Sequence, residues 1–482
     1  MLLKDLLKDI SFELIQGNDN IIIEKVRYDN RKVNKGDLFV CVKGFKVDGH
    51  SFIKDAVAKG ATAIVVQDDV ELIEGVTFIK VKDTRKALAE ISSNFFGRPQ
   101  DKLKIVGITG TNGKTTSAFI IKSILEKAGK KVGLIGTIAN YIGSQKIDTE
   151  RTTPESFELQ ELFSKMVNEG VEYCVMEVSS HSLELDRVYG VKFESGIFTN
   201  LTRDHLDFHK TFENYYHAKF KLFERSKTSI INVDDDYGQR VLEDLAKIDS
   251  KKVAFSIEKD SEFKAFEIKM SQNGSEFKLE IDGNVENFNI NIPGEYNIHN
   301  ALGAILSTYN LGIDIKAIKE GISDIVIPGR CEMVAKDRNL DYSIIIDYAH
   351  TPDGLENILK TVRGFVKNRI ITVVGCGGDR DKVKRPQMGK IACDLSEIAI
   401  ITSDNPRSED PMSIIEDIIK PLDNKNYEVE VNRYNAIEKA MNMAESGDVV
   451  LIAGKGHETY QILKDETIDF DERKVVYEIL DK

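Results

Sequence analysis

At 482 residues the chain should hold about three domains of ~150 residues each, and its 41% hydrophobic and 30% charged content suits a soluble protein with several cores. Lysines and arginines total 66 against 79 acids, and the resulting net charge of −13 repels nucleic acid and anionic lipid over the general surface. No apolar run approaches the ~18 residues of a membrane span, and the charged start MLLKDLLKDI does not read as a secretory signal. Five cysteines (Cys41, Cys174, Cys331, Cys376, Cys393) form no CxxC pair, which argues against a disulfide framework or a cysteine zinc site and for a reducing, cytoplasmic compartment.

Residues 1–99 alternate β-rich runs (IIIEKVRYDNR, DLFVCVKG, ATAIVVQ, VTFIKVKD) with helical stretches such as RKALAEISSNFF, and predict a small α/β domain. FGRPQDKLK, with Gly97 and Pro99, reads as a linker. A second domain, 100–329, opens with the apolar strand LKIVGITG, which runs into glycines and a helix over about 115–128. YCVMEV, GIFTNL, a helix and TSIINV follow. Over about 253–292 the apolar period shortens towards two, which predicts a local antiparallel insert before a helix at 297–311. A third domain, 330–482, alternates strand and helix most regularly and predicts a parallel, doubly wound, Rossmann-like sheet. Three polar clusters, GGDRDK, SDNPR and GKGHE, each follow a strand of it, so the topology should bring them to one edge.

The strongest motif runs from Gly107 to Thr116, after a strand and before a helix. Glycines there let backbone N–H groups turn towards phosphate oxygens at a helix amino end, with Lys114 for the terminal phosphates and the Thr115 hydroxyl for Mg²⁺. The strict spacing of the general motif fails, since Gly107 and Gly113 enclose five residues and Gly110 and Gly113 enclose two. Glu177 ends the strand YCVMEV and is placed to hold a metal, or else is a solvated strand end. NLTRDHLDFH at 200–209 crowds ionisable groups after another strand. Lys219 falls on the apolar stripe of Phe212, Tyr215, Tyr216, Leu222 and Phe223, with Lys221 opposite. A lysine there must be paired, modified or neutralised, unless it snorkels to water.

These motifs resemble the Mur ligase family, ATP-dependent amide-forming enzymes of peptidoglycan synthesis. The resemblance spans the chain: GTNGKTT at 110–116, Thr152-Thr153-Pro154, EVSSH at 177–181, NLTRDHLDFH, HAKF around Lys219, NVDDD at 232–236, GEYNIHNALGA at 294–304, PGRCE at 328–332 and DYAHTPD at 347–353. It implies a three-domain α/β fold: a small α/β N-terminal domain for a UDP-sugar, a central P-loop-type mononucleotide-binding sheet, and a C-terminal Rossmann-like sheet for an amino acid. ATP would lie on Gly110, Thr111, Asn112, Gly113, Lys114, Thr115 and Thr116, with Asn297 near the adenine and Arg330 and Asp347 reaching across from the domain boundary. Two Mg²⁺ would be held by Thr115, Glu177, His205 and Lys219, the last as a carbamate formed from CO₂. Lys114, Glu177, His205 and Lys219 form the implied catalytic set.

The resemblance also implies the small-molecule partners. UDP-N-acetylmuramoyl-L-alanyl-D-glutamate would contact Asn30, Phe45, Lys46, Val47, Thr152, Thr153, Ser179 and Arg187. Asp404-Asn405-Pro406-Arg407 is similar to the form that takes meso-2,6-diaminopimelate, since lysine-adding relatives typically lack the arginine, and a guanidinium fork suits the distal carboxylate that lysine lacks. Arg380, Gly454 and Glu458 complete that site, although a solvated Arg407 at a helix entry has the same sequence. Asn30 stands where many relatives have serine, and Leu185 where some have glutamine. The expected reaction passes through an acyl phosphate, in a cytoplasmic monomer without nucleic-acid partner or membrane insertion. Alternatives are the same reaction with L-lysine, a folylpolyglutamate synthase-like ligase, and a non-catalytic nucleotide-binding module.

Overall fold

The computed structural model describes residues 1–44, 47–423 and 426–482, so the expectations for Phe45 and Lys46 lie outside the described residues. It is a mixed α/β structure. The first sheet has five strands in the order Phe12–Gln16, Thr77–Val81, Ala63–Val66, Leu38–Val40, Val26–Arg27. Ala63–Val66 is buried throughout, as expected of a strand covered on both faces. Helix Thr84–Phe95 lies against the sheet and packs Ala87, Leu88 and Ile91 into its core. Its start is fixed by Asp83, whose carboxylate accepts from the N–H groups of Arg85 and Lys86. The expected linker is not a free tether. It forms a short helical turn, Pro99–Lys102, in which Pro99 and Gln100 are buried and Gln100 Nε2 donates to Ser93 Oγ.

The central sheet has nine strands, ordered Phe263–Lys264, Lys251–Ser256, Ser226–Asn232, Phe193–Phe198, Lys104–Thr109, Tyr173–Glu177, Val132–Ile135, Asn140–Ile142, Gln145–Ile147. All pairings are parallel except the last two. Helices Lys114–Lys127 and Glu295–Asn310, close to the predicted spans, contribute Ile120, Ile124, Leu302 and Ile305 to the core on one face. Helices Ser156–Asn168 and Phe212–Phe220 contribute Leu159, Phe163, Tyr215 and Tyr216 to that on the other.

The antiparallel insert begins later than the sequence suggests. Lys251–Ser256 pairs in parallel with its neighbours, and only Phe266–Ser271, Gly274–Ile281 and Asn284–Ile290 form the antiparallel sheet. Lys251–Ser256 lies next to the sheet edge with Lys251 and Lys252 exposed, so it lacks the continuous apolar run of a central parallel strand.

The third sheet runs Glu332–Val334, Ser343–Asp347, Val449–Ala453, Ile370–Val374, Ile398–Ile401, Tyr427–Val429, parallel after the first pair. A two-stranded hairpin, Tyr460–Ile462 with Thr467–Asp469, follows Val449–Ala453. No helix among the described residues is long and apolar enough to cross a membrane.

Candidate functional site

The buried strand Lys104–Thr109 delivers the glycine turn to the amino end of helix Lys114–Lys127. Gly113 has φ +86, and a Cβ there would collide with the Asn300 carboxamide oxygen, so only glycine fits. Asn200 Oδ1 accepts from the N–H groups of Thr111 (3.1 Å) and Asn112 (2.8 Å), which fixes the loop from outside. Lys114 Nζ donates to the carbonyls of Gly110 (2.9 Å) and Thr111 (2.7 Å). Burial pulls its pKa down, against the nearby Glu177 and Asp204 carboxylates.

Glu177 is no solvated strand end, being 1% exposed. Its Oε2 accepts from Thr115 Oγ1 and Thr137 Oγ1, each at 3.0 Å, and its Oε1 accepts from the Thr137 N–H at 2.9 Å. Thr137 escaped the sequence reading because no motif marks it.

Lys219 does not snorkel. It is 2% exposed, its Nζ donates to Gly110 O at 2.7 Å, and it lies 4.5 Å from the centre of the Tyr215 ring. Burial, reinforced by the Lys114 charge, holds its pKa well below the usual lysine value. Lys221 lies on the outer side, paired with Glu184. His205 takes a left-handed conformation (φ 53) and packs edge-on to His181 with centroids 4.8 Å apart. Partial loss of water around the His205 ring, which is still 45% exposed, lowers its pKa, with the His181, Lys219 and Lys114 charges adding to this and Asp204 opposing it, which favours a neutral imidazole. A neutral imidazole, a carboxylate, a threonine hydroxyl and a depressed amine thus surround the glycine turn.

On the far side of the turn a cavity of about 110 Å³ is lined by Asn112, Thr116, Asn297, Arg330 and Asp347, among others. Asn297 Nδ2 is engaged by Pro293 O (2.7 Å), and its Oδ1 accepts from Asn300 (3.2 Å). Arg330 Nη2 donates to Thr115 Oγ1 at 3.2 Å while the guanidinium lies over Tyr348. The buried Asp347 carboxylate accepts from the N–H groups of Cys331 and Ala349. Two features of this wall lie within quoted motifs but were given no role. Asn112 Nδ2 donates to Asp353 Oδ2 at 2.6 Å, tying the glycine turn to the third sheet. Asp234 meets His299 Nε2 at 2.8 Å and accepts from the N–H groups of Ile257 and Lys259.

Thr152, Thr153, Ser179 and Arg187 gather at the end of strand Tyr173–Glu177. Thr153 Oγ1 donates to Glu177 O and accepts from the Ser179 N–H, while Thr152 Oγ1 is 3.0 Å from Thr137 Oγ1. Arg187 Nη1 donates to Thr153 O, and its Nε lies 2.8 Å from Glu155 Oε1. Asn30 and Val47 are separate from this group. They sit with the first sheet, Asn30 Nδ2 donating to Asp55 and Val47 exposed.

The three polar clusters of the third sheet do meet. Arg407 Nη1 donates to Gly378 O at 2.8 Å, and Asn405 Nδ2 donates to Glu458 Oε2 at 2.8 Å. A Cβ on Gly454 would stand 2.9 Å from Asp404 Oδ2. Arg407 is therefore anchored rather than solvated, and the hairpin fixes the turn that Pro406 completes: Gln461 Nε2 donates to Asp404 O and the Arg407 N–H donates to Ile462 O. Arg380 is exposed and makes no hydrogen bond among the described residues. Beneath the loops lie Lys455, which falls within GKGHE but was given no role there, and the pair Arg433–Glu472, which no motif marks; all three are fully buried.

Residues 22–96 match the family model described as Mur ligase family, catalytic domain. Residues 108–308 match the Mur ligase middle domain, and 329–456 the Mur ligase, glutamate ligase domain. Over the full length of both chains, this one is 71% identical to a Clostridium perfringens protein named UDP-N-acetylmuramoyl-L-alanyl-D-glutamate--2,6-diaminopimelate ligase. A Clostridium tetani protein of that name is 55% identical, also over the full length of both. A solved structure of a ligase of that name superposes with a TM-score of 0.72 at 29% identity, covering 100% of this chain and 99% of the other.

Proposed function

Because the chain belongs to the Mur ligase family, we infer that it is an ATP-dependent ligase joining meso-2,6-diaminopimelate to UDP-N-acetylmuramoyl-L-alanyl-D-glutamate in peptidoglycan precursor synthesis. The observation that carries this reading is full-length 71% identity to a protein named for that reaction. The meeting of Asp404–Arg407 with Gly378 and Glu458 at one sheet edge supports it.

A carboxylate is a poor electrophile, so the terminal glutamate carboxylate first attacks the γ-phosphate of ATP, giving an acyl phosphate and ADP. The neutral amine of the amino acid then attacks that carbonyl, and phosphate leaves. Residues 110–116 cradle the ATP phosphates on backbone N–H groups, and Lys114 turns from the loop carbonyls to the transferring phosphoryl group. Asn297, Arg330 and Asp347 wall the rest of the nucleotide. Thr152, Thr153, Ser179 and Arg187 hold the acidic dipeptide, with its uridine towards Asn30 and Val47. Arg407 and Arg380 take the distal carboxylate of diaminopimelate, and Gly454 and Glu458 its ammonium. A division at 1–99, 100–329 and 330–482 gives each reactant a domain, and closure aligns them while excluding water.

The residues around the glycine turn fit Mg²⁺. Thr115 and Glu177 offer hard oxygen donors 3.0 Å apart, and the neutral His205 imidazole offers a nitrogen. Bound there, the ion neutralises phosphate charge. Lys219 fits a carbamate, since its depressed pKa supplies the free amine that adds to CO₂ with loss of a proton, replacing a buried cation by an anion.

The test is ATP-dependent product formation from the UDP-muramoyl dipeptide with diaminopimelate and L-lysine compared. Product with diaminopimelate is expected. Phosphate release with lysine alone rejects the amino-acid assignment, and ATP binding without amide formation rejects the ligase.

A further inference from the structure

Lys455 has no part in the reaction as just described, yet it is among the most enclosed charges of the molecule. Its side chain is 0% exposed. Nζ donates to Asn405 Oδ1 and to Glu458 Oε2, both at 3.1 Å, and stands 5.7 Å from the centre of the Tyr460 ring. Asn405 Oδ1 also accepts from the Ile462 N–H at 2.9 Å, so the hairpin would hold that side chain without the lysine. Glu458 depends on it more heavily. Its Oε2 accepts from Lys455 and Asn405, and its Oε1 accepts from no group among the described residues.

The floor under these three residues is rigid. Arg433 Nη2 donates to Ala453 O (2.9 Å) and Nη1 to Ser403 O (3.4 Å), while Nε donates to the equally buried Glu472 (2.8 Å). The backbone is thereby fixed one residue before Asp404 and one before Gly454. A carboxylate over such a floor, with one oxygen held by an ammonium, has a single defined orientation for the other.

We propose that Lys455 is a positioning residue of the amino-acid site: by occupying Oε2 of Glu458 it presents Oε1 as the one acceptor for the ammonium of the incoming diamino acid. The proposal rests on the reading of Glu458 given above. Without Lys455 the carboxylate loses its one cationic partner among the described residues and keeps the Asn405 amide alone on Oε2, a neutral hydrogen bond that holds its orientation less firmly. The loss then falls on binding of the amino acid, while ATP and the UDP-muramoyl dipeptide, held by the central sheet, are unaffected.

The test is steady-state kinetics of the full chain carrying Lys455→Met, which keeps the length of the side chain and removes its charge. KM for diaminopimelate is expected to rise tenfold or more, with KM for ATP and for the UDP-muramoyl dipeptide changed less than twofold. An unchanged KM for the amino acid in folded protein overturns the proposal, as does an equal rise in all three. A second variant guards against misfolding. Lys455→Met with Glu458→Gln leaves no unpaired buried charge, and its KM should lie within twofold of Glu458→Gln alone; a further tenfold rise overturns a role exerted through Glu458. The wild type is assayed with diaminopimelate and with lysine, and the variants are read with whichever it accepts. A wrong amino acid then shows in the wild type, a wrong role for Lys455 shows in the variants, and a wild type inactive with both overturns the function and this proposal together.

Discussion

Lys219 shows how a single residue combines a packing problem with a chemical use. A neutral amine donating to Gly110 O is tolerable in that position, and the proposed carbamate would place an anion there to face a metal ion. Lys219→Ala should therefore abolish amide formation while leaving the fold intact, and activity of the wild type should fall in CO₂-depleted buffer and recover with bicarbonate. Activity indifferent to both counts against the carbamate, as does an unmodified Lys219 in a crystal structure. Asp234 gives a second prediction. Burial would raise its pKa, but the His299 hydrogen bond and the N–H groups of Ile257 and Lys259 hold it well below the ordinary 3.8. A carboxyl depressed in the folded state adds stability that is fully present above its unfolded pKa and is lost as pH falls through the folded one. Asp234→Asn should thus lower Tm at neutral pH, and the gap to wild type should narrow below about pH 4. A gap constant with pH would show that the carboxylate charge is not the cause. Residues of this kind were legible only where a pattern exposed them. Lys219 was found because it interrupts an apolar stripe, whereas Thr137 carries no motif and Asp353, although inside DYAHTPD, shows its partner only in the fold: their contacts are 40 and 241 residues distant, which no local spacing encodes.

At the scale of elements, the end of each strand in the third sheet is more informative than the strand. Alternating strand and helix predicted a parallel sheet, and a parallel sheet collects its loops at one edge, so the meeting of 377–382, 403–407 and 454–458 could be read from order alone. What supports those loops could not. Arg433 and Glu472 open the helices Arg433–Met443 and Glu472–Leu480, where charged residues usually cap and face water. Only the assembled sheet shows that both point inward. The pair predicts an asymmetry. Glu472→Gln leaves a buried guanidinium without its counter-charge and should cost about 3–5 kcal/mol of stability, whereas Arg433→Met with Glu472→Met should recover most of that loss. Denaturant unfolding of the two variants measures it, and a double variant no better than the single would show that the hydrogen bonds to Ser403 O and Ala453 O matter more than the charge balance. The misplaced start of the antiparallel insert has a related origin, since a strand beside an edge has one wet end and imitates a hairpin strand in sequence.

Across the whole molecule, a body of net charge −13 is inferred to bind two polyanions. That acidic field must be overcome within a few ångströms, by backbone N–H groups, Lys114, Arg187 and Arg330. Two hydrogen bonds also reach the glycine turn from the third sheet and its approach, Arg330 to Thr115 and Asp353 to Asn112. Asp353→Ala removes one of them at a cost of about 1 kcal/mol, which is roughly a fivefold loss in binding. If domain closure depends on that link, KM should rise for ATP and for the amino acid together. A rise confined to ATP would make it a local contact only.

The position of strand Val449–Ala453 has a consequence for how the protein is made. It pairs with Ser343–Asp347 on one side and with Ile370–Val374 on the other, so the last long strand to be synthesised fills the middle of its sheet. Until it leaves the ribosome, the two halves of that sheet have no partner in common, and Lys455 and Glu458, next in order, have not yet reached Asn405. The glycine turn and its parallel strands are complete some two hundred residues earlier. Translation therefore delivers the glycine turn proposed for the ATP phosphates first and the loops proposed for the amino acid last, and a chain released short of its end would keep the former while lacking the latter.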